Sequence, residues 1–221
     1  KQGQGEVYLA SPAVVAATAV AGFITAPDAI PSEPVTRQVQ VQVQKKSSAI
    51  KVKESKAKGR RPVELRGKVW VIRKDNIDTD MIYHNRYLSI TVLQEMGKYT
   101  FDNLEGFKDF ASRVKPGDIV VAGKNFGSGS SRQQAVDCFI SLGVQAVVAE
   151  SFGAIYERNA INAAFPVIAV KELDDLQLEQ GDEVSIQIEK GEFRNLTRNI
   201  TLPIAPFSEV QMEIYQNNGL F

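Results

Sequence analysis

Two hydroxyls and a guanidinium stand in a row at Ser130-Ser131-Arg132, directly behind the glycine run Gly123-Lys124-Asn125-Phe126-Gly127-Ser128-Gly129. Hydroxyl and guanidinium groups donate to the oxygens of a carboxylate or phosphate. Glycine adds positive φ and lets a ligand approach the main chain. The order of residues is not that of the common phosphate loops. Walker A ends in Gly-Lys-Ser/Thr, the dinucleotide fingerprint is G-x-G-x-x-G, and neither spacing occurs here. Gly127-Ser128-Gly129 is also not a Gly-x-Ser-x-Gly elbow. A Gly/Ser turn that merely joins two elements is the alternative.

A second chemical cluster lies upstream, at Asp75-Asn76-Ile77-Asp78-Thr79-Asp80 and Arg86-Tyr87-Leu88. Its aspartates suggest a calcium loop, but that template needs glycine at its sixth position and glutamate at its twelfth. Counted from Asp75, those positions hold Asp80 and Arg86. An acidic capping turn accounts for Asp75 and Asp78, but it leaves Arg86 unexplained. The lone His84 is adjacent to this cluster, with a surface or substrate-adjacent role open, and no histidine triad can form.

Both clusters need strands behind them. Asp118–Ala122, apolar after its first residue, reads as a buried strand and Gln133–Leu142 as a helix, so the glycine loop falls where strand turns into helix. The first-turn N–H groups of that helix favour an anion. Lys68–Ile72 reads as the strand leading into Asp75. Further strands are expected at Ala146–Ala149 and Val167–Val170, with a later β region at Val184–Glu189 and Thr197–Leu202. Helices are expected at Phe107–Val114, Ile155–Ala164 and Ser208–Asn217. Alternation of this kind predicts an α/β fold with a mostly parallel core sheet and an antiparallel pair from the tail. If the first two strands are parallel, Arg86 and the glycine loop share one edge.

Formal charge is zero, from 26 acidic and 26 basic residues in a chain of 221. No global field argues for nucleic acid. One cysteine, Cys138, excludes an intrachain disulfide and suits a reducing compartment, so a cytoplasmic location is expected. One cysteine and one histidine cannot complete a metal site, and no metal ligands are assigned in this chain.

Together with a third stretch, Val147-Val148-Ala149-Glu150-Ser151-Phe152-Gly153-Ala154-Ile155-Tyr156-Glu157-Arg158-Asn159-Ala160-Ile161-Asn162, the two clusters resemble the small subunit of 3-isopropylmalate dehydratase. That subunit is the swivelling domain of the aconitase superfamily. The resemblance runs from about Arg66 to Phe221, with Gln133-Gln134 where the family often has Glu-His. It implies a layered β/β/α fold and a hydro-lyase that moves a hydroxyl between neighbouring carbons of a hydroxy-di- or tricarboxylate, as in leucine biosynthesis. It also implies Ser131 as the base in alkoxide form, with Arg132 and Ser130 binding substrate and stabilising charge. Arg86 would grip a carboxylate, with Ser128 and Gly129 in the substrate-binding loop. Asp80 would orient Arg86 or a partner group, with a structural acid pairing with a loop backbone as the alternative, whereas Asn159 and Asn162 read as structural. The Lewis acid, a [4Fe–4S] cluster, would sit on a cluster-bearing large half, the expected partner. Ser89-Ile90-Thr91-Val92 would meet the variable group of the substrate. Ile90 there favours isopropylmalate, with aconitase or homoaconitase activity as the alternative.

Residues 1–30 resemble the end of the large, cluster-bearing half. Ser11 and Pro12 mark a helix start and Gly22 a stop. The apolar run between them is too short for a membrane span, and it lacks the basic leader of a signal peptide. Missing an initiator methionine, the chain reads as the C-terminal part of a fused polypeptide. Residues 31–65 read as a linker that is basic from Lys45 to Arg61, with Glu54 its one acid there, and Val39–Gln44 alternates like an edge strand. An RNA-binding role for the basic run is the rival of a different class, opposed by the absence of aromatics. The swivelling domain is expected over 66–221.

Overall fold

The computed structural model describes residues 8–30, 32 and 60–220. The chain forms two compact units, Lys1–Ala57 and Lys58–Phe221. In the first, helix α1 (Pro12–Ala21) is capped by Ser11, whose Oγ accepts from Val14 N–H, and it ends at Gly22 in the left-handed region. Thr18 Oγ1 then accepts from Thr25 N–H at 3.2 Å and turns the chain back. The expected strand at Val39–Gln44 and the basic run up to residue 59 lie outside the described residues.

The second unit carries seven strands: β1 (Glu64–Ile72), β2 (Ile119–Ala122), β3 (Ala146–Ala149), β4 (Val167–Ala169), β5 (Glu183–Gln187), β6 (Glu192–Asn195) and β7 (Ile200–Pro203). Their order is β4-β3-β2-β1-β5-β6-β7. Strands β1 to β4 are parallel, and β1 meets β5 antiparallel, as do β5 and β6, and β6 and β7. Helices α2 (Thr79–Ile82), α3 (Leu93–Met96), α4 (Phe110–Arg113), α5 (Gln134–Leu142), α6 (Ala154–Asn162) and α7 (Glu209–Gln216) complete it.

Strand β1 serves both halves of the sheet. Its first residues, Glu64–Lys68, pair with β5, and its last, Val69–Ile72, pair with β2. Gly67 lies near the end of the first segment, and a Cβ there would fall 1.9 Å from Gly117 O, so no side chain is tolerated next to this crossing. The alternation of side chains along the parallel strands separates two cores. Trp70, Ile72, Val120, Ala122, Val147 and Ala149 face the helices and meet Phe110, Phe139 and Tyr156. Val69, Ile119, Val121, Ala146 and Val148 face the other way, onto Val184, Ile186 and Phe193 of the antiparallel strands. The result is antiparallel sheet, parallel sheet and helices in three layers. Strands β2 and β3 are buried on both faces, which is why they read as unbroken apolar runs.

Several boundaries differ from the sequence expectation. The helix expected over Phe107–Val114 is a single turn, Phe110–Arg113. The tail is a three-stranded meander rather than a pair, because β6 hides its one core residue, Phe193, among charged neighbours. The second unit begins ahead of residue 66. Arg61 Nη1 donates to the carbonyls of Ala164 (2.8 Å) and Tyr215 (3.2 Å), with its guanidinium 3.9 Å above the Tyr215 ring. The last residue of the basic run is therefore a packed side chain.

Candidate functional site

The parallel pairing of β1 and β2 continues past the strand ends into the loops. Asn76 N–H donates to Lys124 O, Gly127 N–H to Ile77 O, and Thr79 N–H to Ser128 O, at 2.7–2.9 Å. Thr79 Oγ1 also donates to Ser130 O at 3.1 Å. The third motif joins from the far side, with Phe126 N–H donating to Ser151 O and Gly153 N–H to Phe126 O. All three sequence motifs therefore meet at the carboxyl edge of the parallel strands, the edge where open α/β sheets collect ligands.

Gly127 makes this approach feasible. Its φ is 73°, and a Cβ would stand 2.2 Å from Cγ of Tyr156, a ring that is 1 % exposed. The glycine loop thus lies flat on a buried aromatic floor. Asp78 acts as the capping turn expected of it, whereas Asp75 instead braces the glycine loop. Asp75 Oδ1 accepts from Lys124 N–H at 2.7 Å, and Asp78 Oδ1 accepts from Asp80 N–H and Met81 N–H to start α2.

Asp80 and Arg132 form the centre of the site. Arg132 Nη1 donates to Asp80 Oδ1 at 2.6 Å and to Tyr83 O at 3.2 Å, and the arginine side chain is only 14 % exposed. Asp80 Oδ1 also accepts from Asn85 N–H at 3.0 Å. Burial pushes the Asp80 carboxyl up. The hydrogen bonds from Arg132 and Asn85 and the charges of Arg132 and His84 outweigh it and hold the group below the usual aspartate range.

Ser131 is exposed at the loop tip, and its Oγ accepts from Asn159 Nδ2 of α6 at 3.4 Å. The amides of Ser130, Ser131, Arg132 and Gln133 donate to no acceptor among the described residues, so the approach to α5 presents free N–H groups next to Ser131. Ser130 and Gly129 are exposed and Ser128 is half-buried.

Arg86 lies on the short 3₁₀ turn Asn85–Tyr87. Asp80 holds the backbone next to it through Asn85 but pairs its charge with Arg132. Arg86 Nη2 lies 3.9 Å from Asp102 Oδ2, and its guanidinium is 5.1 Å from the centre of the Tyr87 ring. Tyr87 donates its hydroxyl to the same Asp102 oxygen at 2.5 Å and stacks on Tyr99. Ile90 is half-buried and packs against the helix-side core, whereas Val92 is exposed.

Sequence reasoning treated Asn159 as structural, yet its side chain touches Ser131. The signal was available. Strand β3, its loop and α6 repeat the strand–loop–helix pattern of the glycine loop one strand away, so the start of α6 had to face the same edge. A cavity of about 220 Å³ at the ends of β1 and β2 is lined by Asp75, Gly123, Glu150 and Gln177 and excludes Ser131, Arg132 and Arg86. Ser131 and Arg86 instead face open solvent, and Arg132 is largely buried behind Asp80.

The donor set does not suit an iron–sulfur cluster. Cys138, the chain's one cysteine, is buried, and burial pushes its thiol up to about 12. Among the described residues no His, Cys, Asp or Glu side chains group as metal ligands, and no helix is long and apolar enough to cross a membrane.

A glycine loop with a serine–arginine tip, closed by an aspartate from the neighbouring parallel strand's loop in a three-layer β/β/α unit, defines a swivelling domain of the aconitase class. The family model described as the aconitase C-terminal domain matches residues 63–172. The homoaconitase small subunit of Methanothermobacter thermautotrophicus is 45% identical over 157 residues, covering 71% of this chain and 88% of the relative. The 3-isopropylmalate dehydratase small subunit of Halothermothrix orenii is 41% identical over 158 residues, covering 72% and 93%. A crystal structure of 3-isopropylmalate dehydratase from Methanocaldococcus jannaschii superposes with a TM-score of 0.65 at 34% identity, over 71% of this chain and 90% of that one. The chain belongs to the aconitase C-terminal domain family, in its branch of 3-isopropylmalate dehydratase and homoaconitase small subunits, which are hydro-lyase components.

Proposed function

We propose that this chain works with a cluster-bearing half to dehydrate and rehydrate a hydroxy-di- or tricarboxylate, with 3-isopropylmalate/2-isopropylmalate interconversion as the first choice of reaction. The observation that carries the reading is the Asp80–Arg132 pair beside the exposed Ser131. Ser131 takes the proton from the substrate C–H. Serine is a poor base unless its anion is stabilised, and the free amides around it, the start of α5 and Arg132 supply that stabilisation. Asp80 fixes the Arg132 guanidinium, and Ser130, Ser128 and Gly129 complete the cradle. Arg86 grips a substrate carboxylate through its planar fork, because two parallel charge-assisted bonds fix orientation as well as energy.

The [4Fe–4S] cluster that activates the leaving hydroxyl belongs to the other half, since this chain's donors do not fit it. The open face around Ser131 suits closure by that partner. Residues 1–30 are a remnant of the cluster-bearing half, 31–65 the connection, whose last residues from Arg61 pack into the swivelling domain, and 66–221 the body of that domain in a cytoplasmic enzyme.

Isopropylmalate is preferred because the loop Ser89-Ile90-Thr91-Val92 adds no cation, and its exposed Val92 and half-buried Ile90 are apolar, as suits an isopropyl group. The homoaconitase reading rests on the 45% identical relative, and an aconitase activity belongs to the same class. The test is to assemble the chain with its cluster-bearing half and assay a panel of hydroxy acids with Ser131→Ala alongside. The variant should lose roughly 10²–10⁴ in kcat with a smaller change in KM. Retention of more than about half the activity would remove Ser131 from the mechanism.

A further inference from the structure

The chain's single histidine is the part of this cluster to which neither the sequence nor the family likeness gives a task. His84 precedes the 3₁₀ turn that carries Arg86, and its Nδ1 accepts the Arg86 N–H at 3.1 Å. On the other side of the ring, Nε2 lies 3.8 Å from Asp80 Oδ2. The side chain is 24 % exposed and its ring meets Tyr87 edge-on, with centroids 6.4 Å apart. His84 therefore touches both halves of the site, namely the Asp80–Arg132 pair and the turn from which Arg86 projects.

This arrangement sets the protonation state the turn needs. A ring nitrogen that accepts a hydrogen bond carries no proton, so in the neutral ring the proton is on Nε2, facing the Asp80 carboxylate. An added proton must go to Nδ1. There it opposes the Arg86 N–H, and the cap of the turn is lost. The charged groups around the ring are Asp80 on α2, Arg132 behind it on the glycine loop, and Arg86 on its own turn, with Asp102 beyond Tyr87.

Building on the hydro-lyase reading above, we propose that His84 is a positioning residue whose neutral ring caps the Arg86 turn and so aims the guanidinium at the substrate carboxylate. Protonation of that ring releases the turn and weakens substrate binding. His84→Ala removes both contacts. His84→Asn keeps an acceptor of the kind preferred at caps and does not titrate.

The assembled enzyme is assayed between about pH 5 and 8. At the upper end, His84→Ala should raise KM by roughly three- to tenfold, the size of a lost cap, with kcat changed less. His84→Asn should stay within about twofold of wild type. The wild type should show an acid-side rise in KM that His84→Asn lacks. A His84→Ala variant with unaltered KM, or a His84→Asn variant as poor as His84→Ala, overturns the proposal, as does an identical acid limb in His84→Asn.

Amide hydrogen exchange at Arg86, measured on the chain itself, does not depend on turnover. Its protection should drop in His84→Ala and persist in His84→Asn, and equal protection in all three proteins refutes the cap. If the wild-type assembly turns over no hydroxy acid while the exchange result holds, the functional reading fails and the cap stands.

Discussion

Replacing Asp80 by Asn tests the centre of the site most directly. The substitution keeps shape and an acceptor for Asn85 N–H but removes the charge opposite Arg132, whose side chain is 14 % exposed. Breaking a fully buried pair costs about 3–5 kcal/mol, and an exposed pair contributes about 0–1 kcal/mol. Asp80 itself is 33 % exposed, so the expected cost lies between these limits, at roughly 1–3 kcal/mol. In a unit of this size that lowers Tm by about 3–10 °C.

Urea unfolding followed by Trp70 fluorescence is the assay, since Trp70 is the chain's one tryptophan and is buried in β1. The pH dependence supplies a second check. The folded-state pKa of Asp80 is depressed, because the hydrogen bonds and charges of its partners exceed the effect of burial. Its contribution is therefore complete above the unfolded value of about 3.9 and is lost as pH falls through the lower folded value. The gap between wild type and Asp80→Asn should be full at pH 7 and shrink below about pH 4. A gap under about 0.5 kcal/mol at pH 7, the scatter of ordinary surface substitutions, would refute the reasoning, as would one that does not change with acid.

Arg86→Lys keeps the charge but loses the planar fork, so kcat/KM of the assembled enzyme should fall by about tenfold or more; an unchanged value would remove the carboxylate clamp. Gly127→Ala places a methyl in the Tyr156 ring at φ 73° and should destabilise the unit by roughly 2–5 kcal/mol, from left-handed strain and overpacking together, visible as a lower urea midpoint. The chain purified alone and treated with iron and sulfide should develop no cluster absorption, and Cys138→Ser should not alter that spectrum; a stable cluster lost in Cys138→Ser would reverse the division of labour between the two halves.

Local chemistry was legible in the sequence wherever a few neighbouring residues suffice. Ser11, Pro12 and Gly22 delimit α1 because a cap is made with backbone three or four positions away. The apolar runs of β2 and β3 announce strands buried on both faces, and the glycine spacing marks the loop that must lie against something flat. The family likeness was legible at this level too, since the three motifs occur in the family's order along one chain.

Which side chains face each other was decided only by the tertiary structure. Asp80 and Arg132 stand 52 positions apart, and they meet because β1 and β2 are parallel with Ile72 opposite Ala122, so that the loops leave the same edge in step. A one-residue slip in that register would reverse every side chain of the ladder. The pairing of Asp80 with Arg132 rather than Arg86 follows from it, and the reach of Asn159 to Ser131 follows from the matching register of β2 and β3. Helix caps depend on contacts within one turn of chain, whereas a site built across parallel strands depends on register, and register is set by the packing of two cores at once.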